Sequence, residues 1–418
     1  MKNLDILNNK NFKNFLILIF SSLPISIILG NAIMEINILL IIFSFIVLIL
    51  SSKKLINDIR NEKLLHLLLI FWAYLILNSF FGIDFTNSIK RNFLFIKFIL
   101  LIFSFRYFLL HFDILKKIIF SWTVVLLIVC IDVFFESIFG FNILGFESSM
   151  KNERIVSFFK DELIVGSFLF AFLFIIVGSL IFDNRIKIAF LITFVVSLAI
   201  ILTGERSIVI KLLFSLLIFI FFVQNNLKIK IISIFLLFLS VIALLNLDTL
   251  KVRYIDQVKN DLNFDHNNIK HNLLETKYLN QSVFSYEIFK NNIFFGVGNK
   301  NYHKACINLK NTSEDKLIKE MFVHCYTHPH QVYYEFISEH GMLGTLIILS
   351  IIFKLLFDKD NRPLLRENRK LILIFKIYCL SSIIPIIPTG SFFSSFQLFL
   401  FFLNYSFYQV YIFKKNQK

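Results

Sequence analysis

The chain has 418 residues, of which 57% are hydrophobic, and its mean hydropathy is +0.74. Soluble domains seldom exceed about half apolar residues, so the composition excludes an ordinary soluble globular protein. The formal net charge of +15 would suit a nucleic-acid partner. The apolar residues, however, form long runs, and the polar residues lie in short stretches between them, which is typical of a polytopic helical membrane protein.

Apolar segments of nearly the ~20 residues that cross a bilayer recur along the chain. We predict twelve transmembrane spans, at residues 15–31, 32–50, 64–82, 93–110, 118–138, 164–182, 188–203, 207–223, 231–247, 342–357, 371–388 and 391–412. The predicted fold class is therefore an all-α polytopic integral membrane protein. Its predicted regions are spans one to nine with short loops (1–247), a large outer segment (248–341), and three final spans with a tail (342–418).

Basic residues alternate between the two sides of this topology. With the N-terminus inside, the inner segments carry 21 Lys and Arg residues and the short outer segments carry six. The positive-inside rule then predicts that both termini are cytoplasmic and that residues 248–341 lie outside. That outer segment has equal numbers of basic and acidic residues and seven of the nine histidines. The net charge therefore indicates membrane topology, and no nucleic-acid partner is expected.

The four cysteines divide between the spans and the outer segment. Cys130 and Cys379 fall within spans, where a thiol packs as a small apolar group, whereas Cys306 and Cys325 both fall in the outer segment. An oxidising exterior permits a disulfide between the outer pair, and closing such a loop is worth ~3 kcal/mol in the chain-entropy model. Two free thiols or two metal ligands are the alternatives.

The outer segment ends in an unusually polar stretch, HCYTHPHQVYYEFISEHGMLG, residues 324–344. Pro329 fits the first turn of a helix, and Gly341 fits its end. We therefore expect His328 and His330 at the N-terminus of a short helix that lies on the outer membrane surface and leads into the tenth span.

This histidine cluster has three interpretations. The histidines could simply be exposed in a polar loop. They could form a metal site, although the spacing of its candidate ligands matches no common zinc pattern; these ligands are His324, Cys325, His328 and His330. A histidine could instead bind a substrate or remove a proton from a hydroxyl group, because its side chain titrates near neutral pH.

Two arginines stand out on the predicted outer face. Arg206, in LTGERSIVI (202–210), lies between two spans with almost no loop. A charge there is costly unless it is paired, and an arginine fork suits two-point contacts with phosphate. A salt bridge to Glu205 or a snorkelling side chain is the alternative. Arg154 opens RIVSFFKDELIVGSFL (154–169), which could otherwise be a loop with a charged membrane anchor.

These stretches resemble the O-antigen ligase and polymerase superfamily. His330, Gln331, Gly341 and Gly344 fit the pattern H-[NSQ]-x9-G-x2-[GTY]. Arg206 fits R-x3-L, with Ile210 in place of Leu. The segment from 154 fits R-x-x-G-x-F-x-D-E-x-x-x-G at Arg154, Phe159, Asp161, Glu162 and Gly166, with Ser157 in place of Gly. A fourth stretch, NNIFFGVGNKNYHKAC (291–306), fits a family turn segment at Gly296, Gly298 and Tyr302.

The resemblance implies a glycosyltransferase-type ligase of the bacterial inner membrane with a periplasmic active site. It would move a glycan from a polyprenyl (undecaprenyl) pyrophosphate carrier to a sugar hydroxyl of the lipid A core, and a single displacement would invert the anomeric centre. The implied catalytic residues are His330 as base and Arg206 on the pyrophosphate. No cofactor or metal ion is expected. Substrate contacts are predicted for Arg154, Asp161, Glu162, His328, Gln331 and Glu335, and a second basic residue for Arg253 or Lys277.

Other functions remain open at this point. A polymerase would extend the lipid-linked glycan itself, and a protein O-glycosylating ligase would have a similar layout. A non-catalytic transporter of lipid-linked glycans should carry charges deep in several spans. The charged residues inside the predicted segments are Lys97, Arg106, Lys211, Lys354 and Lys376. A flippase would have no evident use for the large outer segment with its histidines.

Overall fold

The computed structural model describes residues 9–148, 154–160, 162–223, 248–262, 277–312, 324–357, 369–385 and 387–415, with isolated residues between 227 and 242. Every regular element among these described residues is a helix. The predicted all-α fold class is therefore confirmed.

The first half of the chain forms eleven long or medium helices. They are α1 (Lys10–Ser21), α2 (Leu23–Ile28), α3 (Asn31–Leu50), α4 (Lys53–Arg60), α5 (Lys63–Ser79), α6 (Phe85–Phe93), α7 (Ile96–His111), α8 (Leu115–Phe139), α9 (Val165–Phe182), α10 (Ile186–Leu202) and α11 (Arg206–Ile218). A short helical run over 248–262 follows. The remaining helices are α12 (Lys277–Asn291), α13 (Tyr302–Thr312), α14 (Val332–Phe357), α15 (Arg369–Ser382) and α16 (Ser395–Lys415).

The helices coincide with the predicted spans wherever the chain is described. Only the ninth predicted span, 231–247, lies mostly outside the described residues. Within the described residues, six helices are long and apolar enough to cross a membrane when α6 and α7 are taken together as one helix, Phe85–His111. The other five are Asn31–Leu50, Leu115–Phe139, Val165–Phe182, Val332–Phe357 and Ser395–Lys414. Helices α4 and α5 are also long and apolar enough when they are taken together, but the angle between them is 71°. The chain is a multi-pass membrane protein, and the count of twelve spans stays a prediction.

Helix α9 lies at the centre of the bundle. Its sequence, VGSFLFAFLFIIVGSLIF, is apolar around the whole helix, and a helix of that kind is stable only when other helices surround it. Every residue from Val165 to Ser179 is buried. Helices α8, α10, α15 and α16 pack around it. This central helix is therefore the common packing partner of the four helices around it.

Two ion pairs accompany the basic residues that lie within α7. Lys97 contacts Glu35 of α3 at 2.6 Å, and Arg106 pairs with Glu62, the residue before α5. The Arg106 guanidinium also lies against the rings of Phe103 and Phe413. A charge in a transmembrane helix is tolerated when it is paired in this way. These two cations are thus part of helix packing.

The turn over 292–301 is inserted between helices from opposite ends of the chain. Asn78 of α5 donates to the Phe295 carbonyl at 3.0 Å and accepts from the Asn299 N–H at 2.9 Å. Gly298 has φ +86°, and a Cβ atom there would meet the Gly82 Cα at 2.4 Å. Glycine is therefore required for this close approach of two backbones, which fixes the turn against α5.

Helix α14 is broken at Gly341, where φ is 64° and ψ is −169°. The Met342 N–H donates to the Ile293 carbonyl at 2.7 Å, so the 292–301 turn satisfies backbone groups that the break releases. The predicted end of the short helix at Gly341 is confirmed. Much of the part before Gly341 is buried inside the protein, including Val332, Glu335, Phe336, Ser338, Glu339 and His340. Its place on the outer membrane surface stays a prediction.

Candidate functional site

One polar centre surrounds the tight turn between α10 and α11. We call Arg154, Glu205, Arg206, Arg253 and Tyr254 the arginine centre. Arg253 donates through Nε to the Gly204 carbonyl at 3.0 Å, and the Tyr254 hydroxyl donates to the Ile201 carbonyl at 2.9 Å. The helical run over 248–262 is thereby fastened to the turn that carries Arg206.

Glu205 holds the N-terminus of α9 in this centre. Its side chain is buried and accepts the Gly166 N–H at 2.6 Å and the Ser167 hydroxyl at 3.1 Å. A carboxylate suits a helix N-terminus because the first N–H groups of a helix have no partner within it. Burial raises the pKa of Glu205, and the nearby Arg154 opposes that shift.

The three arginines singled out in the sequence converge on Tyr254. Arg253, Arg154 and Arg206 each lie close enough to act electrostatically on its hydroxyl, as does Glu205. Burial is the main cause of the raised pKa of Tyr254. Arg154 also donates to the Leu163 carbonyl at 3.0 Å, while its buried Nε has no hydrogen-bond partner within the described part of the chain.

Two other predicted contacts in this region are less defined. Asp161 lies outside the described residues, and Glu162 is exposed. Lys277, the other candidate for a second basic residue, is the first residue of α12. Arg253, the other candidate, contacts the 203–206 turn.

A second polar centre lies where the 324–331 segment enters α14. We call Lys300, His328, His330, Glu335 and Glu339, with Ser391 beside them, the histidine centre. The rings of His328 and His330 are 4.2 Å apart between centroids. His330 has φ 53°, which is uncommon for a residue other than glycine, and its carbonyl accepts the Thr389 N–H at 2.7 Å. The turn at 389–391 thus holds His330 in place.

Helix α14 starts two residues after His330. Gln331 accepts the Tyr334 N–H at 2.8 Å through its side chain, so it acts as the cap of this helix. Glu335, one turn later, is 1% exposed and accepts the Ser391 hydroxyl at 2.5 Å and the Phe392 N–H at 2.8 Å. The structure therefore gives Gln331 and Glu335 internal partners, although both were predicted to contact substrate.

Lys300 is a residue that the sequence analysis missed. Its ammonium group lies 3.5 Å from Glu335 Oε1 and donates to the Ser391 hydroxyl. Its backbone N–H donates to Glu339 Oε2 at 2.8 Å, and the Tyr302 N–H donates to the other oxygen at 3.1 Å. The only sequence signal was its place inside the singled-out stretch GVGNKNY, which was interpreted as a turn.

His328 is held in its neutral form. Burial, and then the positive charge of Lys300, lower the pKa of His328 to about 4. Its Nδ1 lies 3.1 Å from the Thr327 hydroxyl, and its ring also lies beside the backbone of Thr389. At neutral pH this ring can accept a hydrogen bond from a group that enters the centre.

A disulfide joins Cys306 of α13 to Cys325 at the start of the histidine segment, with a Cα–Cα distance of 5.6 Å. His303, on the same helix as Cys306, bonds through Nδ1 to the Cys325 carbonyl at 2.6 Å. Helix α13 therefore positions the chain that leads to His328 and His330. Among the described residues, no group of three or more His, Cys, Asp or Glu side chains is arranged to hold a metal ion.

Helix α15 packs against both of the helices that start at the two centres. It packs against α11, which begins at Arg206, and against α14, which begins just after His330. The Tyr333 hydroxyl donates to the Ile383 carbonyl at 2.7 Å, directly after the end of α15. The helices that begin at the two centres therefore share α15 as a packing neighbour.

The helices define a multi-pass membrane protein with polar centres at the ends of its spans. Residues 188–349 match the family model described as O-Antigen ligase. This match covers about two fifths of the chain and includes Arg206, Arg253 and His330. It confirms the resemblance to the O-antigen ligase and polymerase superfamily, whose members are glycosyltransferase- or ligase-type enzymes. No curated protein sequence matches the chain.

Proposed function

We propose that this protein is an O-antigen ligase-type glycosyltransferase. It would transfer a glycan from a polyprenyl pyrophosphate carrier to a sugar hydroxyl of the lipid A core, on the periplasmic face of the inner membrane. The observation that carries the proposal is the arrangement of three arginines at the 203–206 turn. Arg206 belongs to the turn, Arg253 donates to the Gly204 carbonyl, and the N–H of Ile155, the residue after Arg154, donates to the Thr203 carbonyl. Two of these arginines and His330 fall within the family match.

The arginine centre suits the pyrophosphate of the donor. Guanidinium groups bind phosphate oxygens through paired N–H donors. Negative charge grows on the departing pyrophosphate as its bond to the glycan breaks, and fixed cations at that position stabilise the transition state more than the ground state. Arg206 begins α11, so its side chain extends from a rigid element, which favours this role.

The histidine centre suits the acceptor. As the acceptor oxygen attacks the anomeric carbon, the bond from that carbon to the phosphate oxygen breaks, and His330 takes the hydroxyl proton. The products are the glycosylated acceptor and the polyprenyl pyrophosphate. His328 is neutral and lies beside His330. It would therefore accept a hydrogen bond from the acceptor hydroxyl and add no positive charge next to His330.

The polymerase remains the second candidate, because the family match includes both activities in its superfamily. The two enzymes would use the same donor and differ in the acceptor hydroxyl. A transporter should carry charged side chains inside its spans along an open polar pathway, and the placement of two of the charged residues found inside the predicted spans disfavours this function. Lys97 and Arg106 pair with Glu35 and Glu62 in the helix packing and so do not mark an open polar pathway.

The experiment is complementation of a strain that lacks this gene, with the wild type and with His330→Ala, followed by gel analysis of lipopolysaccharide. We expect His330→Ala to reduce glycan transfer by about 10²-fold or more, the usual effect of removing a general base. The control is His324→Ala, since His324 is an exposed histidine of the same segment.

The gel distinguishes the candidate functions. Absence of all glycan on the lipid A core, with long polymer on the lipid carrier, indicates a ligase. Core that carries a single repeat without a ladder indicates a polymerase. A normal ladder from His330→Ala at normal protein level contradicts the assigned base, and turnover of lipid-linked glycan by the purified protein would then separate an enzyme from a transporter.

A further inference from the structure

A cavity of about 510 Å³ lies at the end of the bundle away from both polar centres. We call it the basal cavity. Its walls come from 115–123 of α8, from 179–192 at the junction of α9 and α10, and from 411–414 of α16. Helix α9 runs from Gly166, whose N–H donates to Glu205, to Ser179 at this cavity. That stretch rises about 20 Å along the helix axis. The cavity is therefore separate from the proposed reaction.

The rim of the basal cavity is basic. Lys116, Lys117 and Arg185 are exposed there, and within the described part of the chain none of the three forms a salt bridge. Lys414 also contributes to the rim, with its ammonium group 5.5 Å from the Phe182 ring centroid. Asp183 is the carboxylate at the same rim. The rim thus attracts an anion.

The walls of the basal cavity are apolar. Phe120 and Ile188 are 72% and 46% exposed, on helices that cross the bilayer or lie beside those that do. The hydroxyls of Thr123 and Ser179 donate to carbonyls of their own helices at 2.7 and 2.6 Å. These side chains therefore offer mainly their carbon atoms to the cavity, which suits a hydrocarbon chain.

We propose that the basal cavity binds an anionic phospholipid. The phosphate contacts Lys116, Lys117 and Arg185, and an acyl chain lies along Phe120 and Ile188. Basic clusters between transmembrane helices recognise anionic headgroups in this way, because the charged rim and the apolar wall lie at the depths of the headgroup and the chain. A free phosphate ion would leave the apolar wall unused, and a zwitterionic lipid would gain less from the rim.

The test uses the purified full-length protein, delipidated in detergent and titrated with phosphatidylglycerol or with phosphatidylcholine of the same chains. Bound lipid is measured by native mass spectrometry. We expect phosphatidylglycerol to bind preferentially. The triple variant Lys116→Gln, Lys117→Gln, Arg185→Gln should lose about tenfold or more in affinity, since each basic group near an anionic headgroup favours binding severalfold.

The matched control removes the same charge elsewhere on the same predicted side, with Lys53→Gln, Lys54→Gln, Arg60→Gln on the exposed helix α4. It should bind lipid as the wild type does. An equal loss in both triple variants, or equal binding of the two lipids, overturns the proposal.

A second variant tests the apolar wall without changing the charge. Thr123→Trp places a large ring in the cavity, and it should displace phosphatidylglycerol while a short-chain analogue still binds. Complete displacement of the lipid by inorganic phosphate would show that the rim is only an ion site and would overturn the lipid assignment. Melting curves of all variants identify any that fail to fold. Where the triple glutamine variant fails to fold, the charge-retaining variant Lys116→Arg, Lys117→Arg is compared with the wild type instead, and it should still bind the lipid.

Discussion

The two polar centres differ in the charged groups that they hold. The arginine centre has three guanidinium groups and one carboxylate within electrostatic range of the Tyr254 hydroxyl. The histidine centre places two buried carboxylates and one ammonium group beside a neutral imidazole. The first arrangement favours an anionic group such as a pyrophosphate, and the second favours a neutral hydroxyl that gives up a proton. The difference suggests that one centre handles the leaving group and the other the nucleophile.

The sharpest test of the arginine centre is Arg206→Gln. Loss of one preorganised cation that stabilises developing charge should reduce glycan transfer by about 10²–10³-fold. The loss should appear mainly in kcat, measured with purified protein and lipid-linked donor. Arg206→Lys keeps the charge but loses the fork, so its activity should be intermediate. If only the KM for the acceptor changed, Arg206 would contact the acceptor and not the donor pyrophosphate, which would contradict its assigned role.

Removing the disulfide should weaken the histidine centre and leave the arginine centre intact. The double variant Cys306→Ser, Cys325→Ser should lose up to ~3 kcal/mol of stability by the loop-entropy estimate, as measured by thermal unfolding in detergent. The reductant control is direct. Dithiothreitol should lower the melting temperature of the wild type and have no effect on the double variant. Equal sensitivity of both proteins would show that the bond contributes nothing to stability.

Lys300→Gln tests whether charge balance holds the histidine centre together. Glu335 would lose its ammonium partner while it stays buried. We expect a loss of about 2 kcal/mol, less than for a fully buried pair, because Lys300 is partly exposed and the contact is 3.5 Å. The matched control is Lys304→Gln, since Lys304 pairs with Asp84 at the surface, where such contacts contribute little. Lys300→Arg should restore most of the stability. The double variant Lys300→Gln, Glu335→Gln measures the coupling between the two side chains.

The smallest expected effect is a pH dependence that His328 confers. Its pKa of about 4 in the folded protein lies below the ordinary value of 6.5. The unfolded chain therefore binds more protons than the folded chain between these values, and His328's contribution to stability falls as the pH drops from about 7 towards 4. His328→Gln should flatten the melting temperature between pH 7 and 5. His324→Gln, on an exposed histidine, should leave that slope unchanged.

Much of the fold was predictable because hydropathy alone determines where a chain can cross a bilayer. The apolar runs predicted helices at their observed places, from 32–50 through 391–412. The arginines could also be predicted as a group. Arg154 and Arg206 lie at the same predicted outer ends of spans, and a charge at such a place requires a local partner or a ligand. The structure brings both of them, with Arg253, to one turn.

The histidine centre was less predictable because its partners lie far apart in the sequence. Lys300 and Ser391 are separated by 91 residues, and hydropathy gives no sign that a lysine in a glycine-rich turn will meet a buried carboxylate. The helix before Gly341 was expected on the membrane surface because it carries polar residues. The structure buries them because the 292–301 turn and the 389–392 turn supply hydrogen-bond partners to Glu335 and Glu339.

The ion pairs of α7 have a consequence for the order in which the protein is assembled in the membrane. Helix α7 contains both Lys97 and Arg106, and each is neutralised by a carboxylate from an earlier part of the chain, Glu35 and Glu62. A helix with two unpaired cations would enter lipid only at a cost of several kcal/mol. Pairing with Glu35 of α3 and with Glu62 before α5 removes that cost, so α7 becomes stable in the bilayer only beside these earlier helices.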